Sequence, residues 1–531
     1  MKKQYMEWAR VPIIPLFVIF LMIGQSTTYA QQRDVLNGVL RIKVSESLAA
    51  ELEAASLKKS ANDVLLTGIS SIDRVNETYS VRGLKRVFRD AGKFEAKHKQ
   101  YGLHRWYEVS LDMDVSIEDV IEAFGQVDQV DISEAVLKKT IVGSSSPSYG
   151  PKIVEPSEMS VTTLSGVPND PFFADQWHYD NTGQSGGTPG ADISLVQAWG
   201  IEAGSADVII AITDGGVQVD HPDLAANVWV NTGEIPGNGI DDDGNGYIDD
   251  VNGYGFGDDT GDIAPDAHGT HVGGTIAAVT NNGVGVSGVA GGSGTRDGAR
   301  IMSCAAFGAV GTGGFAETYV YGADMGAVIS QNSWGYTSPG VFEQAVLDGI
   351  DYFIAEAGKD EFGTQTGPMN GGIVIFAAGN DDFDAEWYPG FYSPTLAVSA
   401  LNHNDQKSWY SNFGDWVDIA APGGETNTVT IEGVLSTLSN NQYGFFQGTS
   451  MACPHVSGLA ALVVSQYGGT GFNPTVLRDR LISTTDEVDG LNPGFEGQLG
   501  SGRINAFKAL QSDDGAAPLA ITDLAVADVE I

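Results

Sequence analysis

Three apolar runs, residues 208–213, 327–330 and 373–378, are continuous rather than alternating. That is the pattern of parallel strands buried on both faces. Each ends in polar turn residues: Asp214-Gly215-Gly216, Asn332-Ser333 and Gly379-Asn380. In open parallel sheets the strand C-termini are where sites are built, although Asp-Gly and Gly-Asn are also ordinary turn chemistry. Residues 268–279 begin polar and turn small and apolar, which predicts a tightly packed helix. Another buried helix is expected over the apolar run 459–464, and Ser450 stands ahead of it at the helix N-terminus. A serine there is either a cap or a nucleophile beside unpaired backbone N–H groups.

The pattern before residue 150 is different. Residues 104–111 can alternate as a strand, Ser116 and Asp119 resemble a capping box opening a helix through Phe124, and 127–136 can return as a strand. This predicts a small α+β domain over 31–150. The Gly, Ser and Pro content of 142–151 then reads as exposed linker, assigned here to 151–167, before a domain at 168–512. At the N-terminus, Lys2, Lys3 and Arg10 flank an apolar run at 11–23 that leads to Thr28-Tyr29-Ala30. Residues 1–30 therefore read as a secretory signal cleaved after Ala30, with secretion as the consequence. The alternative, a membrane anchor, is disfavoured by the short run and its two prolines, so no stable membrane insertion is expected. Residues 513–531 read as a linker or the start of a further module.

Charge sharpens this division. The 531 residues carry a net charge of −40, which argues against nucleic acid as a partner. Residues 31–150 hold 16 basic and 18 acidic residues, whereas 151–531 hold 9 and 49. The acidity belongs to the second region, and two regions so differently charged are expected to be separate units. Only two cysteines occur, Cys304 and Cys453, both in apolar surroundings and read as buried free thiols.

Within the acidic region, Asp241, Asp243, Asn245 and Asp249, with Gly246 and Ile248, follow the alternation of a calcium loop. Asn252 stands where the usual bidentate Glu would be, so a structural Ca2+ is expected rather than a sensor site. His268 and His271, three apart, could face a metal, but no accompanying Glu or Cys completes a zinc set.

Asp214, His268 and Ser450 occur in the order of one of the known Asp-His-Ser triads. Four blocks carry a resemblance: Thr213-Asp214-Gly215-Gly216 with Asp220-His221-Pro222, then His268-Gly269-Thr270-His271-Val272-Gly273, then Ala377-Ala378-Gly379-Asn380, and last Gly448-Thr449-Ser450-Met451-Ala452. Together they resemble the subtilisin-like serine proteases over roughly 168–510. The resemblance implies a three-layer αβα fold with a mostly parallel central sheet, and an endopeptidase acting on proteins or peptides. It implies Asp214, His268 and Ser450 as triad and Asn380 as oxyanion donor. Ser333, Trp334 and Gly335 would form the strand that pairs with substrate, and Ala377, Ala378 and Gly379 one wall of the first specificity pocket. Trp334 stands where relatives commonly carry an aliphatic residue, and a core tryptophan is the competing reading. His271 and His455 are expected to pack rather than react. No charge lies in 333–335 or 377–379, so broad or apolar preference is expected. Residues 31–150 would be the propeptide, an intramolecular inhibitor removed by self-cleavage between 142 and 167. A peptide ligase on the same site and a non-catalytic module with a vestigial triad remain the alternative readings.

Overall fold

The computed structural model describes residues 34–141, 152–153, 167–294, 297–309, 313–427 and 429–512. The proposed signal, most of the linker and the tail from 513 lie outside the described residues. The N-terminal part is an antiparallel sheet of β1 (Val35–Val44), β2 (Gly83–Arg86), β3 (Trp106–Ser110) and β4 (Val130–Leu137), in the order β2-β3-β1-β4. Helices α1 (Glu46–Ala54), α2 (Ser70–Tyr79) and α3 (Ile117–Gly125) accompany it. Ser116 caps α3, its Oγ accepting from Asp119 N at 3.3 Å. Leu40, Ile42, Val44, Val109, Val120 and Phe124 are fully buried in this part's own core.

The second part is built on seven parallel strands: β6 (Ile209–Gly215), β7 (Gly253–Tyr254), β8 (Arg300–Phe307), β9 (Ile329–Asn332), β11 (Ile373–Ala377), β12 (Leu396–Leu401) and β13 (Ile419–Pro422). Their order is β7-β8-β6-β9-β11-β12-β13. The continuous apolar runs are explained by two cores. Ile210, Ile212, Ile373, Ile375 and Val398 face α4 (Ala267–Ala277) and α7 (Thr449–Tyr467), whereas Ala211, Val374 and Phe376 face α5 (Phe315–Asp324) and α6 (Gln344–Glu356). Period-two side-chain alternation sends successive residues to opposite layers, so both faces of a central strand must be largely apolar. This is the three-layer αβα architecture.

Two short strands lie outside this sheet. β5 (Lys139–Ile141), the continuation of the N-terminal sheet's last strand, pairs antiparallel with β10 (Trp334–Tyr336), which directly follows β9. The N-terminal part also lends Val87, Phe88, Leu103, Trp106 and Leu137 to the α5/α6 core. Polar contacts surround that apolar contact, with bases on one side and acids on the other. Arg41 meets Glu343 at 2.6 Å, Lys43 meets Asp348 at 2.7 Å, Arg89 meets Glu317 at 3.2 Å, Lys97 meets Glu356 at 3.2 Å, and His98 meets Asp324 at 2.6 Å. Glu134 of β4 accepts from Gln344 N and Ala345 N at 2.7 and 3.1 Å, capping α6 from across the interface. The uneven charge seen in the sequence is thus used as complementarity.

Candidate active site

Asp214 is the penultimate residue of β6, at the sheet's C-terminal edge. Its Oδ1 takes a hydrogen bond from His268 Nδ1 at 2.8 Å and another from Gly215 N at 2.7 Å. His268 is the second residue of α4, whose N-cap is Asp266, accepting from His268 N at 2.8 Å and Gly269 N at 3.2 Å. The helix start and the strand end approach so closely that a Cβ on Gly215 would lie 2.6 Å from Asp266 Cβ, and one on Gly269 2.2 Å from the Gly215 carbonyl oxygen. Two glycines therefore set the spacing between Asp214 and His268. Burial pushes the Asp214 carboxyl above its ordinary range, and His268 draws it part-way back. Burial works against charge on His268, but Asp214 and then Asp266 lift the imidazole above its ordinary value.

Ser450 is the second residue of α7, behind an N-cap, Gly448, with φ +146° and no side-chain cap. It is inside the helix, not its cap. Pro454 lies within the same helix and has no N–H for the Ser450 carbonyl four residues back. That carbonyl accepts instead from Ser333 Oγ at 3.0 Å, while Ser450 Oγ donates to the Ser333 carbonyl at 3.4 Å. Among the described residues His268 Nε2 has no hydrogen-bond partner. Asn380 follows β11, and its Oδ1 accepts from Thr449 N and Thr449 Oγ1, both at 2.9 Å. This turns the Asn380 amide nitrogen away from Thr449, and an added Cβ at Gly448 would sit 3.3 Å from it. Gly379 has φ +107°, and Asn412 braces the turn by donating to the Ala378 carbonyl at 3.0 Å and accepting from Asp381 N at 2.8 Å.

Residues 205–502 match the Subtilase family of peptidases. That span is more than half of the chain. The chain belongs to the subtilase family. It is 32% identical to thermitase of Thermoactinomyces vulgaris over 353 residues, covering 65% of this chain and 99% of thermitase. It is equally identical to the halolysin-like extracellular serine protease Nep of Natrialba magadii, covering 65% of this chain but only 53% of that protein. Among solved structures, fervidolysin of Fervidobacterium pennivorans aligns with a TM-score of 0.55 at 20% identity, covering 91% of this chain and 62% of its own. At that identity the likeness speaks for the fold alone, and the share aligned is greater than the peptidase part. The chain is a subtilisin-like serine endopeptidase, a hydrolase.

In this subtilase the remaining expected site residues fall in different places. Gly335 lies on the strand edge opposite Thr140, whereas Ser333 is the fully buried residue between β9 and β10. Trp334 contributes only backbone to that edge. Its indole is 1% exposed, packs against Phe315 and Phe376 at centroid distances of 4.5 and 5.5 Å, and donates to Asn332 Oδ1 at 3.2 Å. Ala377 and Ala378 are buried at the end of β11. His271 donates from Nε2 to the Val434 carbonyl at 3.0 Å, and burial holds its pKa down to about 3. His455 donates from Nδ1 to the Met451 carbonyl at 2.7 Å, with burial holding its pKa down to about 4. Both are packing residues. Cys304 and Cys453 are buried free thiols.

The acidic loop closes differently from the expected alternation. Asp241 accepts from Gly244 N, Asn245 N and Gly246 N at 2.8, 3.1 and 2.9 Å, and Asp249 from Asn238 N and Gly239 N at 3.1 and 2.9 Å, so both carboxylates hold the loop's own backbone, as Glu234 does by accepting from Asp242 N, Asp243 N and Asp249 N at 2.8, 3.1 and 3.1 Å. Asn245 donates to Asp250 Oδ2 at 3.0 Å and accepts from Tyr247 N at 2.8 Å. Of the three expected carboxylates Asp243 joins a converging set, with Glu234 and Asp250, whose ligand oxygens lie within 4.8 Å of one another. Three carboxylates with no cationic side chain among them suit a hard divalent ion with oxygen ligands. Burial, with Asp243 adding to it, pushes Asp250 up to about 6 against the pull of its Tyr321, Asn245 and Asn231 hydrogen bonds. Glu234 was missed because it lies seven residues ahead of the loop and outside any period.

Proposed function

We propose that this subtilase is a secreted endopeptidase made as a self-processing zymogen, acting through Asp214, His268 and Ser450. The observation that carries this is the arrangement at one edge: His268 and Asp214 joined at 2.8 Å, Ser450 at the start of α7, and β5 laid along β10 as a substrate strand would be. Secretion is supported by the N-terminal signal pattern and by the extracellular relative. A peptide would add to the Trp334–Tyr336 edge by main-chain hydrogen bonds. Ser450 Oγ attacks the scissile carbonyl carbon as His268 Nε2 takes its proton, and Asp214 stabilises the imidazolium. The Asn380 side-chain amide and the Ser450 backbone N–H hold the oxyanion at the helix N-terminus. Collapse breaks the C–N bond, His268 protonates the leaving amine, and water then hydrolyses the acyl-enzyme by the same relay. Residues 31–150 act as propeptide and intramolecular inhibitor, because β5 fills the edge that substrate needs. Glu234, Asp243 and Asp250 would hold Ca2+, which supplies charge compensation to the loop.

The wild-type chain should be shortened to a form whose N-terminus lies between 142 and 167, whereas Ser450→Ala keeps residues 31–150. A fluorophosphonate should label Ser450 stoichiometrically in the wild type. Identical N-termini in the two proteins would refute self-processing, and absence of labelling would favour a vestigial site.

A further inference from the structure

The expectation of broad or apolar preference came from stretches that hold no charge. The structure brings a charge to the substrate edge from elsewhere. Glu343, the N-cap residue of α6, is fully buried. Its carboxylate accepts from Arg41 at 2.6 Å, from Leu137 N at 2.6 Å, and from Lys139. Among the described residues every one of these donors belongs to the N-terminal part. Lys139 stands opposite Tyr336 in the β5–β10 pair, and its ammonium lies 5.3 Å from the Tyr336 ring and 5.1 Å from the Phe315 ring. It is 3% exposed. Two residues further along β5, Ile141 faces Trp334, the neighbour of Ser333, whose carbonyl holds Ser450 Oγ. The strand therefore runs toward the nucleophile, and Lys139 occupies a position on the acyl side of the bond to be cut.

Removal of the N-terminal part would leave Glu343 without its donors and empty the place that the Lys139 ammonium holds against the two rings. An apolar substrate side chain seated there would bury the carboxylate again without a donor, which is strongly unfavourable, whereas a cation would restore the lost partner. We propose that Glu343, Tyr336 and Phe315 form a substrate subsite for a basic side chain, Lys or Arg, borne by the residue that pairs with Tyr336. The inference rests on the reading that β5 occupies the substrate path. An aliphatic stem lies along the rings, the cation meets both ring faces and the carboxylate, and an acidic side chain is repelled.

The test uses the processed enzyme recovered from expression of the full chain. Three internally quenched peptides share the sequence Thr-Ile-Val-Gly-Ser of residues 140–144 and carry Lys, norleucine or Glu immediately before it. The Lys peptide should have a kcat/KM roughly tenfold above the norleucine peptide, with the Glu peptide lowest. Raising salt to about 1 M should narrow the Lys-to-norleucine ratio, and E343Q should bring it toward one. Equal cleavage of the Lys and norleucine peptides, or an unchanged ratio in E343Q, overturns the subsite while leaving the protease reading intact. Cleavage of none of the three overturns the protease reading and the subsite with it. If E343Q fails to fold, the wild-type ratio and its salt dependence decide.

Discussion

At the scale of single residues, the site separates histidines by environment. His268 is half-buried beside two carboxylates that lift its pKa, whereas His271 and His455 are buried without one. His268→Ala should abolish peptide hydrolysis while His271→Gln retains it, measured as kcat/KM on one peptide. The neutral imidazole is the base, so activity is low while His268 is protonated. Its raised pKa places the rising limb of kcat/KM above the ordinary 6.5. A limb below that value would contradict the Asp214 pairing. Asn380→Ala should lower kcat by about 10²–10³ with little change in KM, the magnitude known for such a donor within this family. The folded pKa values of His271 and His455 lie below 6.5, so the unfolded chain takes up protons first. Stability from these residues is present above pH 6.5 and lost as pH falls toward 4. For His271 alone the loss should reach roughly 2–3 kcal/mol by about pH 4.5, read from denaturation midpoints against pH.

At the scale of elements, catalysis depends on where three strands end and two helices begin. Asp266 caps α4 and also adds its charge to His268. Asp266→Ala should cost about 1 kcal/mol of stability and reduce kcat, and Asp266→Asn should recover the stability. Thermal unfolding alongside single-turnover rates separates the two effects. The ends of β6, β9 and β11 were legible in sequence because a buried strand must be apolar and must stop at polar residues. The roles of Thr449, Asn412 and Ser333 were not. Each acts through a hydrogen bond to a residue 29 or more positions away, such as Asn412 to Asp381 and Phe383, Thr449 to Asn380, and Ser333 to Ser450. No local period records such a pairing.

At the scale of the whole molecule, the basic face of the N-terminal part meets the acidic face of α5 and α6. If Glu234, Asp243 and Asp250 hold Ca2+, chelation should lower the melting temperature, by about 2.7 kcal/mol of stability when the free ion had stood at 100 times its Kd. Asp250→Asn should remove that calcium dependence, whereas Asp249→Asn should leave it. Calorimetry with and without chelator distinguishes the converging set from the expected alternation.

The sequence by itself determined the buried parallel strands and the polar residues at their C-terminal ends, because burial on two faces and turn chemistry are properties of stretches of chain, and its four blocks resembling the subtilisin-like proteases pointed to the triad candidates. Only the tertiary structure decided which oxygens meet around a cation, that the Trp334 indole serves the core while its backbone serves the edge, and that Glu343 lies beside the substrate path. Those depend on residues from separate elements arriving at one point, and the energy that holds them there is not written in any single segment.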